Sequence, residues 1–204
     1  SVRRRGLPAA VGAGNLSAHA SEPPAARHQP VLLEETLGWL APDRGGLFVD
    51  CTLGLGGHAH ALLARFPNTR LLGIDRDPRA LYLARQRLEE FGRRARCVDG
   101  NFCDLADVWA AHAAGEAPPA GIYADLGMSS LQLDDPDRGF SFQRDGPLDM
   151  RMGTEGPTAA ELVNFATEEN LEEIFREFGE EPEARRVARA IVAERRVRPI
   201  DTTV

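Results

Sequence analysis

A parallel β-sheet covered by crossover helices is the fold this sequence predicts, and three features predict it. Short apolar runs alternate with helical segments of roughly ten to fifteen residues. The first run feeds a glycine-rich loop that opens directly into a helix. The second run ends on an acid. Together they define an α/β chain built from βαβ units.

The ordered pattern starts at His28. GGLFVDC (45–51) is a short β run that stops at the glycine loop. RLLGIDRD (70–77) is a second, and Pro78 stands where the first turn of a helix accepts a proline. That helix, PRALYLARQRLEEF, sets Leu81, Ala84 and Leu88 on one side at helical spacing. RARCVDG (94–100) predicts a third strand, FCDLADVWAAHAAG (102–115) a helix closed by Gly115, and AGIYADLG (120–127) a fourth strand. After Gly127 the alternation stops. A loop rich in Gly and Asp runs to about Gly156 and helices follow. Thr158 and Glu161 have capping-box spacing ahead of LVNFA. NLEEIFREFG places Leu171, Ile174, Phe175 and Phe178 on one face and stops at Gly179. Pro182 opens a last helix striped by Ala184, Val187, Ala188 and Ile191, and no internal repeat is present.

Composition narrows the function classes. With 204 residues, 43% of them hydrophobic, the chain can bury one ordinary core and carry a smaller second part. Its apolar runs fall far short of the ~18 residues that suggest a membrane span. Cys51, Cys97 and Cys103 form neither a CxxC pair nor a metal-ligand spacing, and read as thiols in a reducing compartment. A net charge of −7 argues against broad non-specific binding to nucleic acid but leaves room for a local basic groove. Residues 1–27 carry four arginines against one acid and no apolar periodicity, and read as a disordered basic tail. The same Arg-rich, acid-poor start also resembles an organellar transit peptide.

Gly54-Leu55-Gly56-Gly57-His58-Ala59 fits G-x-G-x-x-A between a strand and a helix, with Asp75 at the tip of the next strand. Glycines let the main chain pass close to a ligand, and the acid can accept hydrogen bonds from ribose hydroxyls. This is an adenosine-ribose site of Rossmann type. No GK[ST] follows, so it is not a P-loop. Asp50, four residues before Gly54, would repel a pyrophosphate but attract an ammonium or sulfonium, which favours S-adenosylmethionine over a dinucleotide. His58 and His60 form an HxH without a third ligand at a recognisable spacing, so no metal is expected. Lining the ligand or capping the helix suits His58 better.

YADLGMSSLQLDDPDRGFSFQRDGPLDMRM (123–152) begins at the carboxyl end of the fourth strand, where open α/β sheets bind ligands. Asp125, Ser129, Ser130 and Gln132 crowd polar groups there, and Arg138, Arg144 and Arg151 alternate with Phe140 and Phe142. Such a mix suits stacking on a base and holding phosphates. In the last helix Arg185, Arg189 and Arg196 fall on one face, behind an acidic start of Glu180, Glu181 and Glu183. A solvated helix with favourable end charges explains these more simply than an RNA groove.

On these motifs the chain resembles the bacterial family of 16S rRNA (cytosine-N4)-methyltransferases and its mitochondrial relatives. The matching segments are HQPVLLEETL (28–37), VDCTLGLGGHAHALL (49–63), GIDRDPRAL (73–81), NF (101–102), DLGMSSLQLDDPDRGFSFQRDGPLDMRM (125–152) and GEEPEARRVARAIVAERRVRPIDTT (179–203). The resemblance implies a Rossmann-like class I methyltransferase sheet with a helical domain inserted after the fourth strand. It implies cofactor contacts from Gly56, Gly57 and His58, with Asp75 on the ribose, Phe102 flanking the adenine, and Asp125 and Gln132 completing the pocket. The expected parts are the tail (1–27), an S-adenosylmethionine-binding α/β core (28–127), and the active-site loop with the inserted helical substrate domain (128–204). Chains of the family continue with further strands, so the sheet's far edge is expected to be unformed here and the activity of these residues alone stays open.

The expected reaction is methylation of a cytosine N4 in small-subunit ribosomal RNA, within an assembled or assembling subunit. The amine's lone pair is delocalised into the ring, so the enzyme must accept hydrogen bonds from N4–H and align the nitrogen with the methyl group. Asp125 is the first candidate acceptor and Ser129 the second; Phe140 or Phe142 could assist unstacking of the base. Two other readings stay open: a nicotinamide-dependent oxidoreductase, and a non-catalytic module that binds cofactor or RNA. The bacterial wording of the motifs favours the cytoplasm, with mitochondria as the alternative. No membrane partner is expected, and a homodimer is left open.

Overall fold

The computed structural model describes residues 30–204, with side chains for all of them except Ser130 and Leu131. The expected basic tail at 1–27 lies outside the described residues, as do His28 and Gln29.

β1 (Gly46–Asp50), β2 (Thr69–Asp75), β3 (Ala95–Asp99) and β4 (Gly121–Tyr123) form one parallel sheet in the order β3-β2-β1-β4. Each falls within a residue of its predicted run. Leu71, Leu72 and Ile74 of β2 are fully buried, which is why that strand reads as a continuous apolar run. The connections are α2 (Gly57–Arg65), α3 (Pro78–Arg87) and α4 (Leu105–His112), and α1 (Leu33–Leu40), a helix absent from the predicted elements, precedes β1.

Two cores sandwich the sheet. Phe48, Leu62, Leu63, Leu71, Leu81 and Leu88 pack with Leu37 and Leu40 of α1 on one side. Val49, Cys51, Leu72, Ile74 and Val98 pack with the half-buried Leu105, Val108 and Trp109 of α4 on the other. Side chains alternate along a strand, so Asp50 leaves β1 on the same face as Phe48, beneath α1–α3. β4 is an edge strand, and Ile122 is 50% exposed. Two helices end earlier than predicted. α4 closes at Ala113, whose N–H donates to Trp109 O at 2.8 Å, and Gly115 serves the turn beyond it. α3 stops at Arg87 and passes into a 3-10 stretch broken at Gly92.

Beyond β4 come α5 (Ser130–Asp134), α6 (Ala159–Phe165), α7 (Glu168–Glu177) and α8 (Ala184–Glu194). The Thr158–Glu161 capping box forms as predicted. α7 buries Leu171, but it closes at Glu177, so Phe178 falls past the helix end and stands 85% exposed instead of joining the apolar face. α8 lies against α7 and buries Ala184 and Ala188, with Val187 and Ile191 half-buried.

The stretch from 125 to 152 is folded tightly against the sheet domain rather than hanging free. Arg138 Nη1 donates to Asp77 Oδ2 at 2.6 Å, while its Nη2 reaches the carbonyls of Arg151 (2.8 Å) and Met152 (3.0 Å). A Cβ on Gly146 would lie 2.1 Å from the Pro136 carbonyl oxygen, so only glycine lets the loop close on itself there. The far side is pinned by Leu148 N–H to Asp201 O (2.9 Å), by Thr203 N–H to Gly146 O (3.0 Å), and by Asn164, which both donates to and accepts from the Ile200 backbone.

Removing one member of the Asp77–Arg138 pair leaves a buried charge without its partner. Arg138→Met is expected to lower stability by about 3 kcal/mol. Adding Asp77→Asn, which keeps a capping side chain on α3, is expected to recover most of that loss. Urea denaturation of the three variants measures both; a double variant no more stable than Arg138→Met would show that the guanidinium's carbonyl contacts, not the ion pair, hold the loop.

Candidate functional site

The chain crosses from one edge of the sheet (β3) to the far side of β1 (β4), so the carboxyl ends of β1 and β4 flank a topological switch point. Open α/β sheets bind ligands in that crevice. The glycine loop enters it from β1. Leu53 N–H donates to Ile74 O (2.9 Å), and Gly54 N–H donates to Asp75 Oδ2 (2.7 Å). The other Asp75 oxygen accepts from Asp77 N–H (2.9 Å), and the Asp75 carbonyl accepts from Gly100 N–H (3.0 Å). One residue thus fixes the loop after β1, the start of α3 and the turn after β3. A carboxylate has about four lone-pair sites, so Asp75 keeps acceptor capacity for ribose hydroxyls.

Gly56 caps α2 at φ 71°, and the open side of Gly57 is filled by Pro30, whose Cγ would lie 2.6 Å from a Cβ there. The His58 ring is held by Val31 O at 2.9 Å and stands edge-on to Tyr123 with centroids 6.0 Å apart. His60 instead turns to Glu90 at 3.1 Å, so the two histidines of the HxH diverge. Among the described residues no group of three His, Cys, Asp or Glu side chains could hold a metal ion.

Asp50 is 2% exposed, and its Oδ1 accepts from Thr52 N–H at 3.0 Å. Burial pushes its carboxyl up to about 7. The Thr52 N–H and the nearby Tyr123 hydroxyl soften that rise, and the charges of Asp75 and Asp125 add to it. Thr52 also joins the two sides of the crevice, since its Oγ1 accepts from Asp125 N–H at 2.7 Å. Asp125 itself is exposed. Three carboxyl groups therefore stand at the tips of β1, β2 and β4, a donor set matched to a cationic ligand with a diol and hostile to a pyrophosphate.

Phe102 follows β3 at the start of a 3-10 turn capped by Asn101, whose side chain accepts from Cys103 N–H at 3.1 Å. Phe102 is 42% exposed, which leaves it available to an aromatic ligand. Ser129 and Gln132 form a reciprocal capping box on α5. Gln132 is buried, with its Oε1 accepting from Ser129 N–H (3.1 Å) and its Nε2 reaching Asp77 Oδ2 (3.4 Å). Its amide serves protein partners first, and the Ser129 hydroxyl keeps one lone pair beyond the cap.

The arginines expected to hold phosphates are engaged with the protein itself. Arg138 is locked onto Asp77, Arg151 onto Asp149 (2.6 Å), and Arg144 onto the Asp134 carbonyl. Phe140 is half-buried, whereas Phe142 is 82% exposed. All three arginines expected on one face of the last helix are exposed, but α8 closes at Glu194, so Arg196 lies past its end; on the helix Arg189 pairs with Glu168 at 3.1 Å.

Sequence reasoning missed Thr52, Asp77, Tyr123 and the inward role of Arg138. Asp77 is buried, caps α3 through Arg79 and Ala80 N–H, and carries Arg138 and Gln132 on its other oxygen. Burial alone would raise its carboxyl, but Arg138 and the two N–H groups outweigh it and hold it below the usual range. An Asp directly before a helix-opening Pro was the available signal.

Residues 25–204 match the MraW methylase family. The Ribosomal RNA small subunit methyltransferase H of Methylorubrum populi is 53% identical over 178 residues, covering 87% of this chain and 50% of that protein. Its namesakes from Beijerinckia indica (50% identical, 94% of this chain, 53% of that protein) and Nitrobacter winogradskyi (51%, 88% and 53%) are similar to the same extent. The chain spans about half the length of the curated relatives it matches. Among solved structures, the C-terminal domain of precorrin-6Y C5,15-methyltransferase from Rhodobacter capsulatus overlaps 49% of this chain and 50% of its own, at a TM-score of 0.37 and 22% identity; so small an overlap carries no argument.

The raised carboxyl of Asp50 has a consequence for stability. An unfolded aspartate releases its proton near pH 4, whereas the folded chain keeps it until about pH 7. The stability this group contributes is therefore complete below about pH 4 and lost as pH rises through 7. Asp50→Asn carries no such proton, so its melting temperature relative to the native chain is expected to rise between pH 4 and pH 8. The gain at pH 8 should be roughly 1–3 kcal/mol. Thermal unfolding across that window tests it, and a difference independent of pH would contradict it.

Proposed function

The chain belongs to the MraW methylase family, and from that premise we propose that it is the cofactor-binding part of an S-adenosylmethionine-dependent enzyme that methylates the exocyclic N4 of a cytosine in small-subunit ribosomal RNA. The observation that carries the cofactor reading is the ring of three carboxyl groups around the glycine loop at the switch point. An NAD pyrophosphate in the same crevice would face Asp50 and Asp125, which disfavours an oxidoreductase.

Bound S-adenosylmethionine supplies an electrophilic methyl group on a sulfonium. Asp75 would accept from its ribose hydroxyls, Phe102 would flank its adenine, and Gly56, Gly57 and His58 would line it from the loop. Asp50 would answer its cationic amino-acid end. Gln132, whose amide is held by Ser129 and Asp77, shapes the pocket by fixing the loop.

For the second substrate, Asp125 is the first group to accept an N4–H hydrogen bond and Ser129 the second. Each would draw electron density toward the amine and orient its lone pair, which is what a delocalised nitrogen lacks. No covalent attack on the ring is needed, so none of the three cysteines has a role in the reaction. Phe142 is available to stack against a base drawn out of its helix. With Arg138 and Arg151 paired to carboxylates of the chain itself, recognition rests more on the shape of an assembled or assembling subunit than on a basic loop. A cytoplasmic location belongs to the same proposal, and the bacterial origin of the relatives supports it.

The test is methyl transfer from labelled S-adenosylmethionine to small subunits that lack the modification, with the modified nucleoside identified by mass spectrometry. N4-methylcytidine is expected. Asp125→Asn should lower the rate by about a hundredfold and Ser129→Ala by about tenfold or less. A methyl group on another position refutes the substrate assignment, and cofactor binding without transfer would make the chain a binding module.

A further inference from the structure

The parallel register sets Asp50 directly opposite Tyr123, so the two side chains leave the sheet on the same face as neighbours. The Tyr123 hydroxyl is buried and has no hydrogen-bond partner among the described residues. Leaving a buried hydroxyl unpaired costs about 1–3 kcal/mol, and buried tyrosines as a rule find a partner for that tip. A phenylalanine would fill the same space between His58 and the sheet without that cost. The hydroxyl therefore has work in another state of the site, and the one polar side chain set beside it by the strand register is Asp50.

We propose that Tyr123 is a positioning residue for the amino-acid end of the methyl donor: with the donor bound, its hydroxyl donates to the Asp50 carboxylate while that carboxylate holds the donor's ammonium. The inference rests on the cofactor reading above. It explains how a carboxylate that is almost wholly buried becomes a usable counter-ion. Oδ1 already accepts from Thr52, and a second donor stabilises the charged form that the cation requires. Without the cation burial favours the protonated carboxyl near neutrality, and the hydroxyl, although set beside it, makes no hydrogen bond of ordinary geometry among the described residues. Burial and the Asp50 charge hold the phenol well above its ordinary value, so it stays protonated and remains a donor. The groups facing the pair are Thr52 and Cys51 from the loop after β1, Asp75 from β2, His58 from α2 against the tyrosine ring, and Asp125 beyond β4. Since the acids among them disfavour a charged Asp50, donor binding should release a proton around neutral pH.

Calorimetric titrations of the chain and of its Tyr123→Phe and Asp50→Asn variants test this with three probes. S-adenosylmethionine and S-adenosylhomocysteine both carry the amino-acid end, and 5′-methylthioadenosine lacks it. Tyr123→Phe should weaken the first two about tenfold, as expected for losing a hydrogen bond to a charged group. It should leave the third within about twofold, and it should move the pH midpoint of S-adenosylmethionine affinity upward. In the Asp50→Asn background the same substitution should have little further effect. Equal weakening of all three probes, or no weakening of any, overturns the inference, because either result detaches the hydroxyl from the amino-acid end. Weakening without a shift of the pH midpoint also overturns it, by making the hydroxyl contact the ligand directly. If the unsubstituted chain binds none of the probes, the cofactor reading fails, and the inference fails with it.

Discussion

The Asp75 carboxylate accepts backbone N–H groups from both Gly54 and Asp77, and the site is built outward from that residue. The first bond draws the glycine loop over the tip of β2. The second orients Asp77, which caps α3 and carries Arg138, whose guanidinium in turn gathers the carbonyls of Arg151 and Met152. A short series of hydrogen bonds therefore links the group that would hold a ribose to the loop that would face a substrate. Hydrogen bonds to charged groups are each worth about 1.5–3 kcal/mol, and several in series make the loop's position depend on the strand tip.

That dependence changes how the basic residues of the loop are read. Three arginines interleaved with aromatics look, as a string, like a nucleic-acid surface. In three dimensions the charges of Arg138 and Arg151 are met by Asp77 and Asp149, Arg144 donates to the Asp134 carbonyl, and these bonds fasten the loop to itself and to the sheet domain. A guanidinium's fork of five donors suits this better than a lysine would, because Arg138 alone serves one carboxylate and two carbonyls at once.

The central strands were legible because their residues are buried on both faces, which makes Leu71, Leu72 and Ile74 a continuous run, and α3 because Leu81, Ala84 and Leu88 repeat at helical spacing. The Thr158–Glu161 cap was legible because both partners lie within one turn. The same spacing, Ser129 to Gln132, announces α5, and there the polar pair was read as pocket lining instead. α1 was legible but overlooked, since Leu33, Leu37 and Leu40, the residues it lays on the core, stand at helical spacing. Long-range partners explain the remaining misses. Thr52 and Asp125 are 73 residues apart, and Asp77 and Arg138 are 61 apart. No local period encodes such contacts. Phe178 fails for the opposite reason: its spacing fits the face of α7, but the helix has already closed.

Acidity at the crevice sets stability against binding. Concentrating carboxyl groups at three strand tips favours a cationic ligand, yet each charge raises the cost of ionising Asp50, the most deeply buried of them. A neutral side chain there would make a sturdier fold near neutral pH and a poorer counter-ion, so the position trades fold stability for ligand charge matching. The same logic reaches the whole molecule. With a net charge of −7 and two of the loop's arginines, Arg138 and Arg151, paired to carboxylates, attraction to phosphate is a weak guide for this chain. Affinity for a strand of RNA grows with the number of phosphates a protein neutralises, and Arg138 and Arg151 are already matched by carboxylates. What remains on that side is an exposed aromatic, Phe142, and acceptors at Asp125 and Ser129. Such contacts suit the proposed reaction, in which one unstacked base is presented by a preformed RNA shape, better than they suit a search along a strand.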